Sequence, residues 1–279
     1  MKIISFSLAV VLLVGVAVRA SDQSEQDEKP VLVITTLDEI PAHSRRALEE
    51  PLEELPQGYK LQVTIDRFYD FGHTNSTNRF EPYVASYVPL NPRGKKDGQE
   101  CFLSKSNRVY RTVPWANGVK NGTEKLFNEH PRYLTAEIPW KNDSIEGVRK
   151  TYYPDGSLRN ETPHVGGQPH GIAKSYSQDG TVTRKCTMRK GKRHGKLVDI
   201  WPETRKTRRI IQYKMGEVTD VVKEFHPNGQ LKRQVPFVDN VMHGEEKRYK
   251  ADGKSARSRY WIGGDLVSKT EFELRKEGQ

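Results

Sequence analysis

Only two cysteines, Cys101 and Cys186, occur in the 279 residues, so no disulfide framework holds this chain together. Cys186 falls where neighbouring units place core residues, which predicts a buried free thiol. Hydrophobic side chains are also scarce, about 38% with Gly counted and Tyr not, against ~45–50% in an ordinary globular chain. A compact domain of this length needs more; a one-layer stack of β-hairpins, each touching only its neighbours, needs less. Catalytic signatures are missing as well: there is no Gly-x-Ser-x-Gly, no His-Glu-x-x-His and no Gly-x-x-x-x-Gly-Lys-Ser/Thr. Carboxylates show no recurring position. The expectation is a non-enzymatic protein with no cofactor, no metal and no small-molecule substrate. Asp66, Asp70 and His73 in the leader are the one place where an active site would fall.

What is present starts with Lys2, an apolar run from Ile3 to Val18, and Val18-Arg19-Ala20 with small residues at the positions a signal peptidase inspects. This reads as a secretory signal over residues 1–20, since the run is short for a membrane span and polar Ser21-Asp22-Gln23 follows at once. The expected location is outside the cytoplasm: periplasm, envelope or extracellular space. Residues 21–30 are acidic and polar, a disordered linker by composition. Residues 31–97 read as a small α+β cap: a short buried strand at 31–34, helical pieces over 38–55 broken by Pro41 and Pro51, a strand at 61–65, and irregular structure from 70 to 96. Residues 273–279 form a charged tail.

Between them, over residues 98–272, one phrase returns about every 24 residues: Gly-x-x-Lys-x-Tyr/Phe-x-x-Asp/Asn-Gly. Six copies open at Gly122, Gly147, Gly171, Gly195, Asp220 and Gly244, and a weaker seventh at Gly98. Such a period means stacked identical units. Asp155-Gly156, Asp179-Gly180, Asn228-Gly229 and Asp252-Gly253 follow nine residues into four copies, the composition of tight type I′ turns. Each unit is therefore a strand, a turn and a returning strand. Five residues after the opener stand Phe127, Tyr152, Tyr176, Ile200, Phe225 and Tyr249. On the returning strand stand Trp115, Trp140, His164, Met188, Tyr213, Phe237 and Trp261. The two columns are expected to form one continuous stripe, with lysine stems along it. The copy at Gly195 lacks the turn glycine and should turn irregularly. The fold class expected is mainly β, an elongated antiparallel hairpin-repeat sheet.

These units, with His170-Gly171, His194-Gly195 and His243-Gly244 opening three of them, resemble the MORN-repeat variant of YwqK-type proteins, often labelled antitoxins of toxin–antitoxin systems. The resemblance implies a solenoid-like sheet with a binding or scaffolding role. The histidines themselves are turn residues: equivalent positions lie about 9–10 Å apart across two strands, whereas zinc ligands sit ~2.1 Å from one shared ion.

Charge is divided along the chain. The total is +10, but residues 21–100 are net negative and residues 101–279 strongly positive. That asymmetry points to an extended anionic polymer, a membrane surface or an acidic protein face as partner; export takes nucleic acid out of reach. The densest basic runs supply the candidate contacts, Arg189, Lys190, Lys192 and Arg193, then Arg205, Lys206, Arg208 and Arg209. The rival expectation is an immunity-like protein that binds and neutralises another protein.

Overall fold

The computed structural model describes residues 31–34, 48, 51, 55–69 and 80–277. The expected signal, the linker at 21–30 and most of the expected helix at 38–55 lie outside the described residues. The rest is mainly β: 22 strands form one antiparallel sheet, alongside a two-stranded ladder and a single helix of nine residues among the described residues.

Seven hairpins make up most of the sheet. Their strand pairs are Gly98–Leu103 with Val109–Ala116, Gly122–Asn128 with Tyr133–Lys141, Gly147–Tyr152 with Leu158–Val165, and Gly171–Tyr176 with Val182–Arg189. They continue as Lys192–Ile200 with Thr207–Lys214, Val222–Phe225 with Leu231–Val235, and Gly244–Tyr249 with Ser255–Ile262. Gly98 thus opens a full hairpin. Register repeats from unit to unit: the opening glycine faces the returning column at Gly98 and Trp115, Gly122 and Trp140, Gly147 and His164, Gly171 and Met188, Gly195 and Tyr213, Gly244 and Trp261.

The opening glycines have a stated reason. At Gly98, Gly122, Gly147, Gly171 and Gly244 φ lies between +108° and +123°, a region that strains any residue with a β-carbon. At Gly98, Gly122 and Gly244 a β-carbon would also press on Pro89, Pro114 or Pro236 of the adjoining segment, whereas at Gly147 and Gly171 it would only touch Pro139 and Pro163.

Turn chemistry differs from the sequence expectation. The Asp-Gly turns are not type I′. In the third hairpin, Gly156 N donates to Tyr153 O at 3.0 Å and Tyr153 N to Ser157 O at 2.9 Å; only Gly156 has positive φ. That is a type I turn closed by a left-handed glycine bulge, a three-residue loop. The type I′ signature, positive φ at two successive residues, belongs to the links instead: Asn117-Gly118, Asn142-Asp143, Gly166-Gly167, Lys190-Gly191, Met215-Gly216, Asp239-Asn240 and Gly263-Gly264. The fifth hairpin does turn irregularly. Arg205 N donates to Trp201 O and Arg205 takes φ 55°, replacing the missing glycine with one extra loop residue.

Period-2 alternation places the two columns on opposite faces, which corrects the single stripe. Trp115, Trp140, His164, Met188, Tyr213 and Trp261 share a face with the opening glycines. Tyr152, Tyr176, Phe225 and Tyr249 stand with Lys150, Lys174, Lys223 and Lys247 on the other. Phe127 and Ile200 follow them. We call these the tryptophan face and the lysine face. On the lysine face, Glu137 faces Lys150, Lys150 faces Glu161, and Glu161 faces Lys174. Lys174 Nζ meets Glu161 at 2.7 Å, and Tyr152 donates to Glu137 Oε2 at 2.6 Å. Burial first, then Glu137, push the Tyr152 phenol up to about 12.

The leader joins this sheet directly. β1 (Val31–Ile34) pairs with β2 (Lys60–Tyr69), β2 with β3 (Phe80–Leu90), and β3 with the first hairpin. β3 replaces the irregular structure expected over much of 70–96. Pro82 and Pro89 disguised it, and Pro89 is tolerated because it stacks on Gly98 where the ladder is already interrupted. β1 is less buried than expected: Val31 and Val33 are half exposed while Ile34 is covered. Ile34, Leu61, Val63, Ile65, Val84 and Leu103 form the main apolar core on the lysine face, under Leu48 and Leu55. At the far end, α1 (Lys269–Glu277) follows a last strand, Asp265–Val267, and sets Phe272 at 5.2 Å from the Tyr260 ring. Residues 273–277 of the charged tail are thus the end of a helix that begins four residues earlier, and residues 278–279 lie outside the described residues. Cys101 and Cys186 are both free and buried, on opposite faces and three hairpins apart.

Candidate functional site

Successive hairpins are stitched at both edges. On the link edge, the second residue of six of the seven turns reaches back one unit: Gly118 N to Lys96 O, Asp143 N to Lys120 O, Gly167 N to Ile145 O, Gly191 N to Pro169 O, Gly216 N to Arg193 O, Gly264 N to Met242 O, all within 2.7–3.1 Å. His194 Nδ1 and His243 Nδ1 accept from Met215 N and Gly263 N on the same edge. On the loop edge, Tyr153 Oη donates to Tyr176 O, Trp201 Nε1 to Phe225 O, and His226 Nε2 meets Tyr249 O. These residues hold the same repeat position.

The tryptophan face carries a pattern absent from the sequence expectations. Carboxylates do recur, at the third position of three units. Glu100, Glu124 and Glu246 are 6%, 2% and 0% exposed. Each accepts from the tryptophan of its own hairpin: Trp115 Nε1 at 2.9 Å, Trp140 Nε1 at 2.7 Å, Trp261 Nε1 at 3.0 Å. Each also meets a cation. Lys96 lies at 2.7 Å from Glu100 and Arg111 at 2.8 Å from Glu124, while Arg233 and Arg248 both lie at 3.5 Å from Glu246. A buried charge without such partners would cost several kcal/mol. Where the third position is apolar, Leu197 or Val222, the column holds Tyr213 or Phe237 instead. The Gly-x-Glu…Trp coupling was available in the sequence, hidden because only three of seven units carry it.

A second charged row runs across the same face. Asp199, 4% exposed, accepts from Arg184 Nε at 2.6 Å and meets Arg209 at 2.7 Å; Arg233 pairs with Glu224 at 2.9 Å. Burial pushes the Asp199 carboxyl up, but Arg184 and then Arg209 outweigh it and hold it below its ordinary value. A depressed carboxylate stabilises the fold above its unfolded pKa and loses that contribution as pH falls through the folded value. Asp199→Asn should therefore be less stable than the wild type by about 1–2 kcal/mol at neutral pH, with the gap narrowing as pH falls below the ordinary carboxylate range of about 4. Urea titrations of both proteins at pH 7 and pH 2.5 read it directly. A gap that persists in acid removes the charge from the explanation.

The sequence-derived basic residues do not form one patch. Arg189, Lys190 and Lys192 surround the Lys190-Gly191 turn on the link edge, exposed and without an ion-pair partner among the described residues. Arg193 next to them donates to Tyr213 Oη at 3.2 Å and stacks on its ring. Arg205, Lys206 and Arg208 lie at the loop edge, about 30 Å away along the fifth hairpin. Lys206 Nζ is taken by Asn228 O at 2.6 Å, Arg208 covers the Trp201 ring, and Arg209 is bound to Asp199. Of that run Arg205 alone has no side-chain hydrogen bond or ring contact, and its charge helps to hold the Asp179 carboxyl below its ordinary value. In the leader, Asp66 accepts from Tyr83 Oη at 3.3 Å, and Asp70 and His73 lie outside the described residues.

Between the third and fourth hairpins the tryptophan face opens into a groove of about 180 Å³, lined by Arg149, Thr151, Asn160, Thr162, Ala173, Ser175 and Arg184 among others. Among the described residues no group of His, Cys, Asp and Glu is arranged to hold a metal, and no helix is long and apolar enough to cross a membrane.

The family model described as MORN repeat variant matches residues 145–165 and 221–239. These are the whole third hairpin, and the sixth hairpin as far as the first residue of the turn that follows it. MORN repeat variant units are thus present in this chain. No curated protein matches it.

Proposed function

We propose that these MORN repeat variant units form a non-enzymatic, exported binding module whose link edge holds an extended anionic partner. The observation that carries this reading is the set of uncommitted cations at three of the seven link turns, two of them consecutive. Lys141 flanks Asn142-Asp143, Arg189, Lys190 and Lys192 surround Lys190-Gly191, and Lys214 precedes Met215-Gly216; all are exposed. Consecutive link turns are two strands apart, about 10 Å, and hydrogen bonds between them fix that spacing. Held at such intervals, cations match a polymer of repeating charge without losing much side-chain freedom. Export is supported by Lys2, the apolar run behind it and Val18-Arg19-Ala20.

The test is elution from a sulfated or carboxylated polysaccharide resin in a salt gradient. Reversing Arg189, Lys190 and Lys192 to glutamate should move elution to clearly lower salt. The control reverses Lys232, Lys250 and Arg257 on the loop edge, the same change in net charge, and should move it much less. Equal shifts would reduce the effect to net charge and defeat the proposal.

A protein partner is the second reading, the one an antitoxin-like role requires. Val148 and Ile172, 40% and 52% exposed on the lysine face, favour it. Capture of a single stoichiometric partner, insensitive to salt and lost on Ile172→Glu, would put it first.

A further inference from the structure

The groove on the tryptophan face has a shape that the repeat itself explains. Two rows of this face cross the third and fourth hairpins. One row runs Arg149, Thr162, Ala173, Cys186; the other runs Thr151, Asn160, Ser175, Arg184. Thr162 faces Ala173 by continuation of the Asn160–Ser175 register. The same lattice positions hold Glu124, Ile138, Leu126 and Ala136 in the second hairpin, and Leu197, Ile211, Asp199 and Arg209 in the fifth. Bulk present on either side is replaced here by one methyl group, hydroxyls and an amide, and the face sinks by about 180 Å³.

Guanidinium groups stand at two diagonal corners of this lattice. Arg149 is exposed and has no ion-pair partner among the described residues. Arg184 also lines the groove, with its Nε spent on Asp199. Each row spans four strands, three spacings or about 14 Å from end to end. Asn160 Nδ2 donates to Thr151 Oγ1 at 3.0 Å, so the amide oxygen stays available as an acceptor. Thr162 and Ser175 add hydroxyls that both donate and accept.

We propose that this groove is a binding site for a compact polyhydroxylated carboxylate, a single uronic-acid-like unit. Arg149 takes the carboxylate, for which a planar guanidinium is the better geometric match than a lysine. The hydroxyls and the Asn160 amide pair with the ligand's own hydroxyls, whose desolvation a purely apolar groove would leave uncompensated. The groove lies mid-strand on the tryptophan face, away from the link-edge cations, and its occupancy does not depend on a polymer at that edge.

Calorimetric or NMR titration of the full chain with D-glucuronate, glucose and sodium sulfate tests it. Glucuronate should bind with a Kd of about 1 mM or below, and glucose and sulfate at least about tenfold more weakly. Ala173→Leu fills the groove with the residue that the fifth hairpin carries as Leu197. It should abolish glucuronate binding while leaving the thermal midpoint unchanged or higher. Arg149→Gln, at an exposed position that cannot compromise folding, should weaken glucuronate at least about tenfold and leave any residual glucose binding unchanged. No glucuronate binding by the wild type, equal binding of glucose or sulfate, or binding indifferent to both substitutions would each overturn the assignment.

Discussion

Gly244→Ala should cost roughly 3 kcal/mol of stability, and Gly156→Ala only about 1 kcal/mol. Both glycines have positive φ, +117° and +84°, but their surroundings differ. A β-carbon at Gly156 meets nothing within 4 Å, whereas at Gly244 it would lie 2.8 Å from Pro236 Cγ. The proline ring is fused to the backbone between Leu231–Val235 and Phe237–Val238 and cannot swing away as a long side chain can. Backbone strain and overlap therefore add at Gly244, while Gly156 bears the left-handed cost alone. Denaturant titration of the two variants measures the difference. Adding Pro236→Ala to Gly244→Ala should recover the overlap and leave the φ cost, returning about 1 kcal/mol or more. If the two single variants lose the same stability, the packing account of the opening glycine fails.

Glu246→Ala should have an effect of similar size, about 2–4 kcal/mol. It leaves the Trp261 indole N–H without its acceptor and two guanidiniums without their shared carboxylate. Arg233 and Arg248 are about a third exposed and partly rehydrate, which keeps the loss below that of a fully enclosed pair. The sixth hairpin shows the apolar alternative, with buried Val222 at the same position and Phe237 in the column. Glu246→Leu with Trp261→Phe converts the seventh hairpin to that type and should recover most of the loss. Additive losses in the double variant would show that the carboxylate and the indole act independently.

The repeat and the hairpin were legible because glycine spacing and period-2 alternation are local properties of the sequence. Which side chains share a face was not read correctly, although the information was there. Trp140 and Tyr152 sit on different strands, and their relative parity depends on the number of residues through the link turn, which places them on opposite sides. Turn type was misassigned for a related reason. Asp-Gly suits both a two-residue and a three-residue loop, and only the cross-strand register separates them. β3 was missed because Pro82 and Pro89 outvoted its alternation. The basic residues were visible as runs, but a run says nothing about which cations are already spent. Arg209 on Asp199 could be recognised only from the register of the fifth hairpin, and Lys206 on Asn228 only once the next hairpin was in place. The groove was invisible for the opposite reason, since it consists of side chains that are smaller than their counterparts.

The even strand count of each unit has a consequence for how such a chain can change length. Two strands return the backbone to its starting direction and to the same side of the sheet. Duplicating or excising a whole unit would thus move the ends by about 10 Å without inverting any row. A half-unit change would reverse the polarity of everything beyond it. Growth in whole steps is open to this architecture, and a measuring-stick length can be tuned independently of what either side displays.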